Sequence, residues 1–340
     1  MSNKKISVAI LSFYSGLVSR GVETFVTELS SKVKDKVDLA VFNADKLPGS
    51  GNKLSYLFLD PPSLAIKRFT REVLSKLETN PPDIIMALNN GWMSLLTKSF
   101  CRKHKTKLVL AGFSGIGWDD KVNLFLNPNC FVACTKFQAD WARGINSKAK
   151  IETINIGVNT DRFRPEGDKF NHGLKSPVVL VVAGPQATKR VHLAIEAVSR
   201  LPKASLLVVG EQPQAIKSLG EKFLGNRFKN IRIEYSKLDS VYRSVKAYTL
   251  PSVASEAYGI SILEAMASGL PVVVNNDPIR RELVGEAGTL VDPTNMPAYV
   301  SALDQALKAT DVNRYRRQAE KFSWERISQQ YLDLWSSFSA

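Results

Sequence analysis

Two glutamates eight positions apart are the residues of this chain best suited to do chemistry. Glu256 follows a predicted strand end, Tyr248–Leu250, and therefore falls in a loop. Glu264 lies inside an apolar run, Ile260–Ala267, and Gly259 permits a tight turn just before that run. The pattern predicts a short helix. Because this helix has no polar face apart from Glu264, we expect it to be buried.

A buried carboxylate is costly unless it receives hydrogen bonds, and no side chain beside Glu264 in the sequence can donate one. We therefore expect Glu264 to point into a pocket where a polyhydroxylated ligand supplies the donors. The backbone N–H groups of Ile260 and Ser261, at the helix start after Gly259, favour a phosphate. Together these features predict a nucleotide-sugar site. The alternative is a buried helix whose glutamate bonds to the backbone of another segment.

Short apolar runs alternate with helical patterns along the whole chain, which is typical of parallel sheets covered by helices on both faces. The predicted strands are Val8–Phe13, Val37–Phe42, Tyr56–Leu59, Ile84–Leu88, Lys107–Ala111, Phe131–Cys134, Val178–Ala183, Ser205–Val209, Ile231–Tyr235, Tyr248–Leu250 and Val272–Val274. The predicted helices include Val22–Lys34, Ser63–Leu77, Met93–His104, Lys136–Arg143 and Phe322–Trp335. A linker rich in Gly, Pro and charge, residues 155–177, divides the pattern. We expect an α/β protein of two doubly wound Rossmann-like domains that face each other across a cleft.

Length and composition agree with this architecture. The chain has 340 residues, of which 44% are hydrophobic and 23% charged, as is typical of a globular protein with about two domains. Its cysteines, Cys101, Cys130 and Cys134, form no metal-ligand pattern, and an odd number suits a reducing compartment. No secretion signal or membrane-length apolar run is visible. We predict a cytoplasmic protein, either free or on the inner face of the membrane.

The formal net charge of +14 is concentrated in the first half of the chain. Residues 1–160 hold 22 Lys and Arg against 13 Asp and Glu. The helix pattern Ser63–Glu78 has a broad apolar side and a basic remainder, which fits either a membrane-surface helix or an ordinary helix that covers a sheet. An anionic membrane surface is the favoured partner, because no nucleic-acid-binding module is visible and none is expected. A solvated basic surface is the simpler interpretation.

Several motifs in order resemble those of the retaining glycosyltransferases of family 4, which adopt the two-domain GT-B fold. The segment SEAYGISILEAMASGLPVV (residues 255–273) resembles the family's signature of two glutamates separated by seven residues. Four further segments are similar to family motifs: SRGVETFVTELS, INIGVNTDRF, VVAGPQATKRVHLAIEAV and FSWERISQQY. The resemblance implies an acceptor-binding domain at residues 1–157, a donor-binding domain at residues 158–323, and a terminal helix at residues 324–340 that crosses back to the first domain.

The resemblance also implies roles for individual residues. Glu264 would accept hydrogen bonds from the ribose of the donor, and Glu256 would hold hydroxyls of the transferred sugar. The amides after Gly259, at Ile260 and Ser261, would contact the sugar and phosphate. Lys189 would neutralise the departing diphosphate, with Arg190 as a helper. Backbone at Gly184 and Gly21 would approach the diphosphate, and the candidates on the acceptor side are Arg20, Asp119 and Asp120.

The chain departs from the family pattern in three places. Gly184 is followed by Pro185 where an arginine is usual, no histidine occupies the loop at residues 111–120, and the acceptor loop has Arg20 where a second glycine is common. Asp119 and Asp120 lie in the loop that lacks the histidine, and helix capping explains them equally well.

The activity implied is transfer of a sugar from a UDP-, GDP- or ADP-linked donor to an acceptor hydroxyl, with retention of configuration. The acceptor is a glycan, a lipid or a small metabolite, and we expect a role in cell-surface glycan or glycolipid synthesis. No cofactor is expected, and the lack of an Asp-any-Asp triplet predicts a reaction without a metal. The alternatives are a non-catalytic nucleotide-sugar-binding protein and a sugar epimerase or phosphorylase of the same fold. A nicotinamide-dependent dehydrogenase is disfavoured, because no Gly-any-Gly-any-any-Gly motif joins a strand to a helix.

Overall fold

The computed structural model describes residues 5–17, 21–47, 61–113, 115–254 and 257–338. The chain forms two compact units. Unit 1 comprises Met1–Ile156 together with Trp324–Ala340, and unit 2 comprises Gly157–Ser323. Each unit is an α/β unit with one six-stranded sheet.

Unit 1 alternates strands and helices. Its strands are β1 (Ser7–Leu11), β2 (Asp38–Phe42), β3 (Ile84–Ala87), β4 (Lys107–Gly112), β5 (Cys130–Ala133) and β6 (Ile151–Thr153). The helices between them are α1 (Gly21–Val33), α2 (Pro61–Leu77), α3 (Trp92–His104), α4 (Trp118–Phe125) and α5 (Lys136–Ile145). All strand pairs are parallel, in the order β2-β1-β3-β4-β5-β6. The predicted doubly wound architecture is confirmed in this unit. The predicted strand Tyr56–Leu59 lies outside the described residues.

The helix that ends the described chain packs on unit 1. It is numbered last, as α13 (Trp324–Ser336), and it lies against α1. The ring of Phe25 contacts the rings of Trp324 and Tyr331, with centroid separations of 5.7 and 5.5 Å. A salt bridge of 2.5 Å between Lys32 of α1 and Glu325 of α13 also joins the two helices. Aromatic burial of this size gives the helix a fixed place in the core of unit 1.

The burial of α2 decides between the two interpretations of its basic amphipathic pattern, a membrane-surface helix and a helix that covers a sheet. Its apolar residues Phe69, Val73, Leu74 and Leu77 are buried in the core of unit 1, and only Leu64 among the large apolar residues is exposed. The apolar side therefore covers the sheet, and the interpretation of α2 as a membrane-surface helix is wrong. In the parts of the chain that the structure describes, no helix is both long and apolar enough to cross a bilayer.

Unit 2 has the same layered construction. Its strands are β7 (Val178–Val182), β8 (Ser205–Val209), β9 (Phe228–Ile231), β10 (Ala247–Leu250), β11 (Val272–Asn275) and β12 (Thr289–Val291). Its helices are α6 (Val191–Ser199), α7 (Gln214–Leu224), α8 (Leu238–Arg243), α9 (Ile260–Ala267), α10 (Pro278–Val284), α11 (Met296–Lys308) and α12 (Val312–Glu320). Strand β9 begins and ends earlier than the predicted Ile231–Tyr235, because its pairing with β8 stops at Ile231 and a short 3₁₀ turn, Tyr235–Lys237, follows.

The strand order of unit 2 has a switch point between β7 and β10. The sheet runs β12-β11-β10-β7-β8-β9, entirely parallel, so the chain reverses direction across the sheet between β7 and β10. In doubly wound sheets, ligands bind outside the carboxyl ends of the strands at such a switch point. The two loops that leave β7 and β10 flank this point. We call residues 183–190 the donor loop and residues 251–259 the glutamate loop.

Candidate functional site

Helix α9 follows the glutamate loop with the predicted bounds, Ile260–Ala267. Gly259 precedes it with φ 103° and ψ 55°, a left-handed conformation that a side chain would strain. Residues 262–267 are all buried, which confirms the expectation from the lack of a polar face. The side chain of Ser261 turns inward, where its hydroxyl accepts a hydrogen bond of 2.8 Å from Tyr248. The hydroxyl of Ser261 keeps its own proton to donate, and its predicted role in donor binding stays a prediction.

Glu264 is 3% exposed, and the protein itself supplies hydrogen bonds to both of its carboxylate oxygens. The hydroxyl of Tyr235 donates to Oε1 over 2.8 Å, and the hydroxyl of Tyr242 donates to Oε2 over 2.9 Å. The expectation that no protein side chain donates to Glu264 is therefore wrong, whereas its predicted contact with ribose hydroxyls stays a prediction. A carboxylate has about four lone-pair sites, so each oxygen retains capacity for one more donor.

The electrostatics around Glu264 are those of a charge held in a protein interior. Burial raises the pKa of Glu264, and the hydrogen bonds from Tyr235 and Tyr242 oppose that rise, as does the positive charge of Arg162. The guanidinium of Arg162 lies 4.2 Å from the centroid of the Tyr235 ring and donates a hydrogen bond to the Tyr235 carbonyl. Arg162 therefore fixes the tyrosine that in turn contacts Glu264.

Three residues around Glu264 were not among the predicted site residues: Arg162, Tyr235 and Tyr242. Tyr235 fell at the end of a predicted strand, whereas it begins a 3₁₀ turn. Tyr242 lies in α8 and has no exposed surface. A buried tyrosine hydroxyl needs a hydrogen-bond partner and a buried carboxylate needs donors, so tyrosines in apolar segments are candidate partners of Glu264. The sequence does not tell which tyrosine contacts which carboxylate.

The donor loop presents Lys189 next to the start of α6. Lys189 ends a 3₁₀ turn, Ala187–Lys189, and α6 begins two residues later at Val191. The positive end of a helix dipole disfavours a cation and favours an anion nearby. A lysine at this place is therefore most favourable when an anionic group lies beside it. Gly184 opens the exposed part of the same loop, and its carbonyl accepts a hydrogen bond of 3.2 Å from Gln212.

Arg190 is bound to the glutamate loop. Its Nε donates to the carbonyl of Pro251 over 2.6 Å, and its Nη2 donates to the carbonyl of Ser252 over 2.8 Å. Nη2 also lies 3.4 Å from the Asn275 side-chain oxygen. Arg190 therefore has a structural role in joining the two loops, and its predicted role as a helper to Lys189 stays a prediction.

Gly21 is exposed at the first position of α1 in unit 1. Arg20 and Glu256 lie outside the described residues, so their predicted roles stay predictions. The part of the chain that the structure describes brings no three His, Cys, Asp or Glu side chains together as a metal site.

Asp119 and Asp120 lie in the first turn of α4, which the sequence analysis treated as a loop. Neither caps the helix through its side chain; the N-cap is Gly117. Asp119 is exposed, where its charge suits the positive helix end. Asp120 has no exposed surface and accepts a 2.8 Å hydrogen bond from Gln138. The structure therefore does not place Asp120 where an acceptor hydroxyl could reach it, which corrects that prediction.

Asp120 predicts an unusual pH dependence of stability. Burial raises its pKa from the ordinary 3.8 to about 7, and within the described residues its Oδ1 and the Oδ1 of Asn123 have no hydrogen-bond partner. The folded protein holds the proton more tightly than the unfolded chain, so stability falls as the pH rises from 3.8 to about 7. We expect Asp120→Asn, which stays neutral, to raise the melting temperature at about pH 8 and to change it little at about pH 4.

The matched control for this experiment is Asp140→Asn in the same unit. Asp140 is 74% exposed and pairs only with Arg143 on its own helix, so its replacement should show no such pH window. Thermal denaturation across the pH range makes the comparison. An Asp120→Asn protein with the same pH profile as the native protein would contradict the predicted proton uptake.

Comparisons with known proteins match much of unit 2 to one family model and parts of the chain to curated relatives. Residues 164–322 match the family model described as glycosyl transferases group 1. A D-inositol 3-phosphate glycosyltransferase of Corynebacterium urealyticum is 28% identical over 58% of this chain and 54% of its own length. The phosphatidyl-myo-inositol mannosyltransferase of Mycolicibacterium smegmatis is 29% identical over 42% of this chain and 39% of its own length. The chain therefore spans about half of these relatives or less.

Solved structures resemble the chain over nearly its whole length. A sucrose-phosphate synthase of Thermosynechococcus elongatus matches 98% of this chain and 99% of its own with a TM-score of 0.77 at 16% identity. HepE of Anabaena, solved with UDP and glucose, matches 98% of this chain and 100% of its own with a TM-score of 0.73 at 16% identity. The two-domain GT-B fold is thereby confirmed, and the sequence matches support a GT-B glycosyltransferase.

Proposed function

We propose that this chain is a retaining glycosyltransferase of the family 4 type, which moves a sugar from a nucleotide-diphosphate donor to an acceptor hydroxyl. One observation carries the proposal. At the switch point of the unit 2 sheet, the donor loop with Lys189 is joined to the glutamate loop, behind which Glu264 is held as a buried carboxylate. A cation for a diphosphate and a carboxylate for hydroxyls are the two groups that a nucleotide sugar requires.

In this proposal Glu264 uses its remaining acceptor capacity for ribose hydroxyls, and Glu256 holds the sugar. Backbone amides after Gly259 contact the sugar and phosphate, and Lys189 faces the diphosphate. The UDP and glucose bound to HepE make a UDP-sugar the first donor to test. Because Pro185 stands where an arginine is usual after Gly184, we assign to Lys189 the main positive charge that the donor loop offers to the diphosphate.

The proposed reaction needs no nucleophile from the protein. The bond between the anomeric carbon and the diphosphate oxygen breaks, and the acceptor oxygen forms its bond to the same face of that carbon. The acceptor proton passes to the departing phosphate oxygen. Lys189 stabilises the negative charge that develops on the leaving group, which is the electrostatic contribution expected to matter most.

A donor screen followed by product analysis tests the proposal. Thermal shift against UDP-, GDP- and ADP-sugars should single out one nucleotide, and NMR of the product should show an unchanged anomeric configuration. EDTA should leave the rate unaffected. Donor binding without any turnover, even by slow hydrolysis, would favour a non-catalytic binding protein, and epimerised or phosphorolysed donor would favour the other enzymes of this fold. Inversion of the anomeric centre would overturn retention.

We also propose that the acceptor is presented at an anionic membrane surface. Since the apolar side of α2 is buried, the attraction rests on charge, with 22 Lys and Arg against 13 Asp and Glu in residues 1–160. The protein should sediment with anionic vesicles and not with neutral ones, and binding should weaken as salt rises above roughly 0.1 M. Equal sedimentation with both kinds of vesicle would remove this partner.

A further inference from the structure

We propose that Arg190 and Arg280 are positioning residues: Arg190 fastens the donor loop to the start of the glutamate loop, and Arg280 holds Ser252 of that loop. Lys189 and the glutamate loop are thereby presented to a nucleotide sugar as one unit. The inference rests on the proposed function for its catalytic consequence. Its structural basis is independent of that function, because it lies in the contacts of residues 188–190 with residues 251–253.

The first connection is made by Arg190 and by the backbone. Besides the bonds from Arg190 to the Pro251 and Ser252 carbonyls, the N–H of Val253 donates to the Thr188 carbonyl over 2.9 Å. Three hydrogen bonds therefore join the residues on either side of Lys189 to the first three residues of the glutamate loop. A planar guanidinium binds two neighbouring carbonyls in one fixed geometry, which a flexible ammonium does not.

The second connection approaches Ser252 from the other side. Arg280, with no exposed surface, donates from Nη2 to the Ser252 hydroxyl over 3.1 Å and from Nη1 to Asp277 over 3.2 Å. The Asn275 amide donates to the other oxygen of Asp277 over 2.9 Å. Ser252 is thus held through its carbonyl by one arginine and through its hydroxyl by another.

The backbone conformation of Arg190 indicates that its side-chain contacts contribute to holding the donor loop. Arg190 has φ 47° and ψ 40°, the left-handed region that favours glycine. A glycine would adopt this conformation without strain, so an arginine there is unfavourable for the backbone alone. The bonds to the glutamate loop offset that strain. Residues held in such conformations by their surroundings occur where a site must be preorganised.

The buried Arg280–Asp277 pair fits the same role. Removing two charges from water is costly, and such pairs often add little to stability compared with apolar residues. Their use is to hold one arrangement rather than several. In this chain that arrangement fixes Ser252 at the start of the glutamate loop. The backbone of residues 251–253 is thereby held in one position relative to residues 188–190, and such fixed positioning is the condition for aligned reacting groups.

The decisive variant is Arg190→Gly, which removes the guanidinium and leaves a residue suited to the backbone. We expect kcat with the best nucleotide-sugar donor to fall about tenfold or more, KM to change less than threefold, and the melting temperature to stay level or rise. Arg190→Lys should recover only part of kcat. Hydrogen exchange at residues 251–254 should become faster in Arg190→Gly, and this readout does not depend on activity.

Arg227→Ala is the matched control. Arg227 also bonds to two backbone carbonyls in unit 2, those of Leu201 and Ala204 at 2.9 and 2.5 Å, but at the amino ends of the strands. Its loss should lower stability and leave kcat and exchange at residues 251–254 unchanged. If Arg190→Gly is insoluble, Ser252→Ala removes only the contact with Arg280 and should give a smaller fall in kcat with the same change in exchange.

Unchanged exchange at residues 251–254 in Arg190→Gly would overturn the connection between the loops. Faster exchange with native kcat would overturn its catalytic role. A native protein that turns over no nucleotide sugar would instead contradict the proposed function, while the exchange measurement still decides the connection.

Discussion

Replacing Lys189 with alanine is expected to lower kcat by about a hundredfold to a thousandfold, the usual effect of removing one preorganised group that stabilises developing charge. Lys189 ends the 3₁₀ turn before α6, and the arginine usual after Gly184 is replaced by Pro185. In the proposed reaction, Lys189 is the group of the donor loop that stabilises the charge developing on the diphosphate. Steady-state kinetics with the preferred donor measure the change, and KM for that donor should rise much less than kcat falls.

Lys203→Ala is the control for that experiment. Lys203 is an exposed lysine of the same unit in the turn that precedes β8, at the opposite end of the strands from the donor loop. Its loss changes the net charge equally and should leave kcat unchanged. If the two variants had equal activity, Lys189 would have no special role in charge stabilisation.

Replacing Glu264 with glutamine is expected to weaken nucleotide-sugar binding at least tenfold while the protein remains as stable as before or becomes more stable. A charge-assisted hydrogen bond is about twice as strong as a neutral one, and a tenfold change in affinity corresponds to about 1.4 kcal/mol. The stability follows from the raised pKa of Glu264, since ionising this buried group costs more in the folded protein than in the unfolded chain. The cost is present above the ordinary pKa of a glutamate, and glutamine avoids it.

Calorimetry with the donor nucleotide and thermal denaturation at about pH 7.5 give the two measurements. Tyr242→Phe is the companion variant, because it removes one hydrogen bond to Glu264 and keeps the carboxylate. We expect a smaller loss of affinity from it than from Glu264→Gln. Unchanged nucleotide-sugar binding in Glu264→Gln would mean that the carboxylate serves the scaffold alone.

The elements around the site follow largely from local patterns. The observed bounds of α9 and β8 equal the predicted ones, and β10 begins one residue earlier than predicted. The predicted turn at Gly259 is also present. The doubly wound class follows as well, because buried parallel strands are apolar on both faces and alternate with amphipathic helices. The short strands β6 and β12, each of three residues, carried too little pattern to be recognised.

The partners of the site residues were not predictable in this way. Tyr235 and Tyr242 bind Glu264 from 29 and 22 positions away, and Arg190 binds the glutamate loop from 61 and 62 positions away. Periodicity reports which side of an element is buried, but it does not report which buried polar groups meet. Asp120 shows the same limit, since its burial depends on α4, a helix of eight residues that the sequence did not reveal.

The sequence by itself therefore determined the two doubly wound sheets, the helix that carries Glu264, and the lysine and glutamates that suit a nucleotide sugar. Only the tertiary structure decided that tyrosines donate to both oxygens of Glu264 and that Arg190 donates hydrogen bonds to the glutamate loop. The physical reason is that helix and strand patterns arise from contacts a few residues apart. The meeting of side chains at a switch point depends on strand order, which many distant contacts set together.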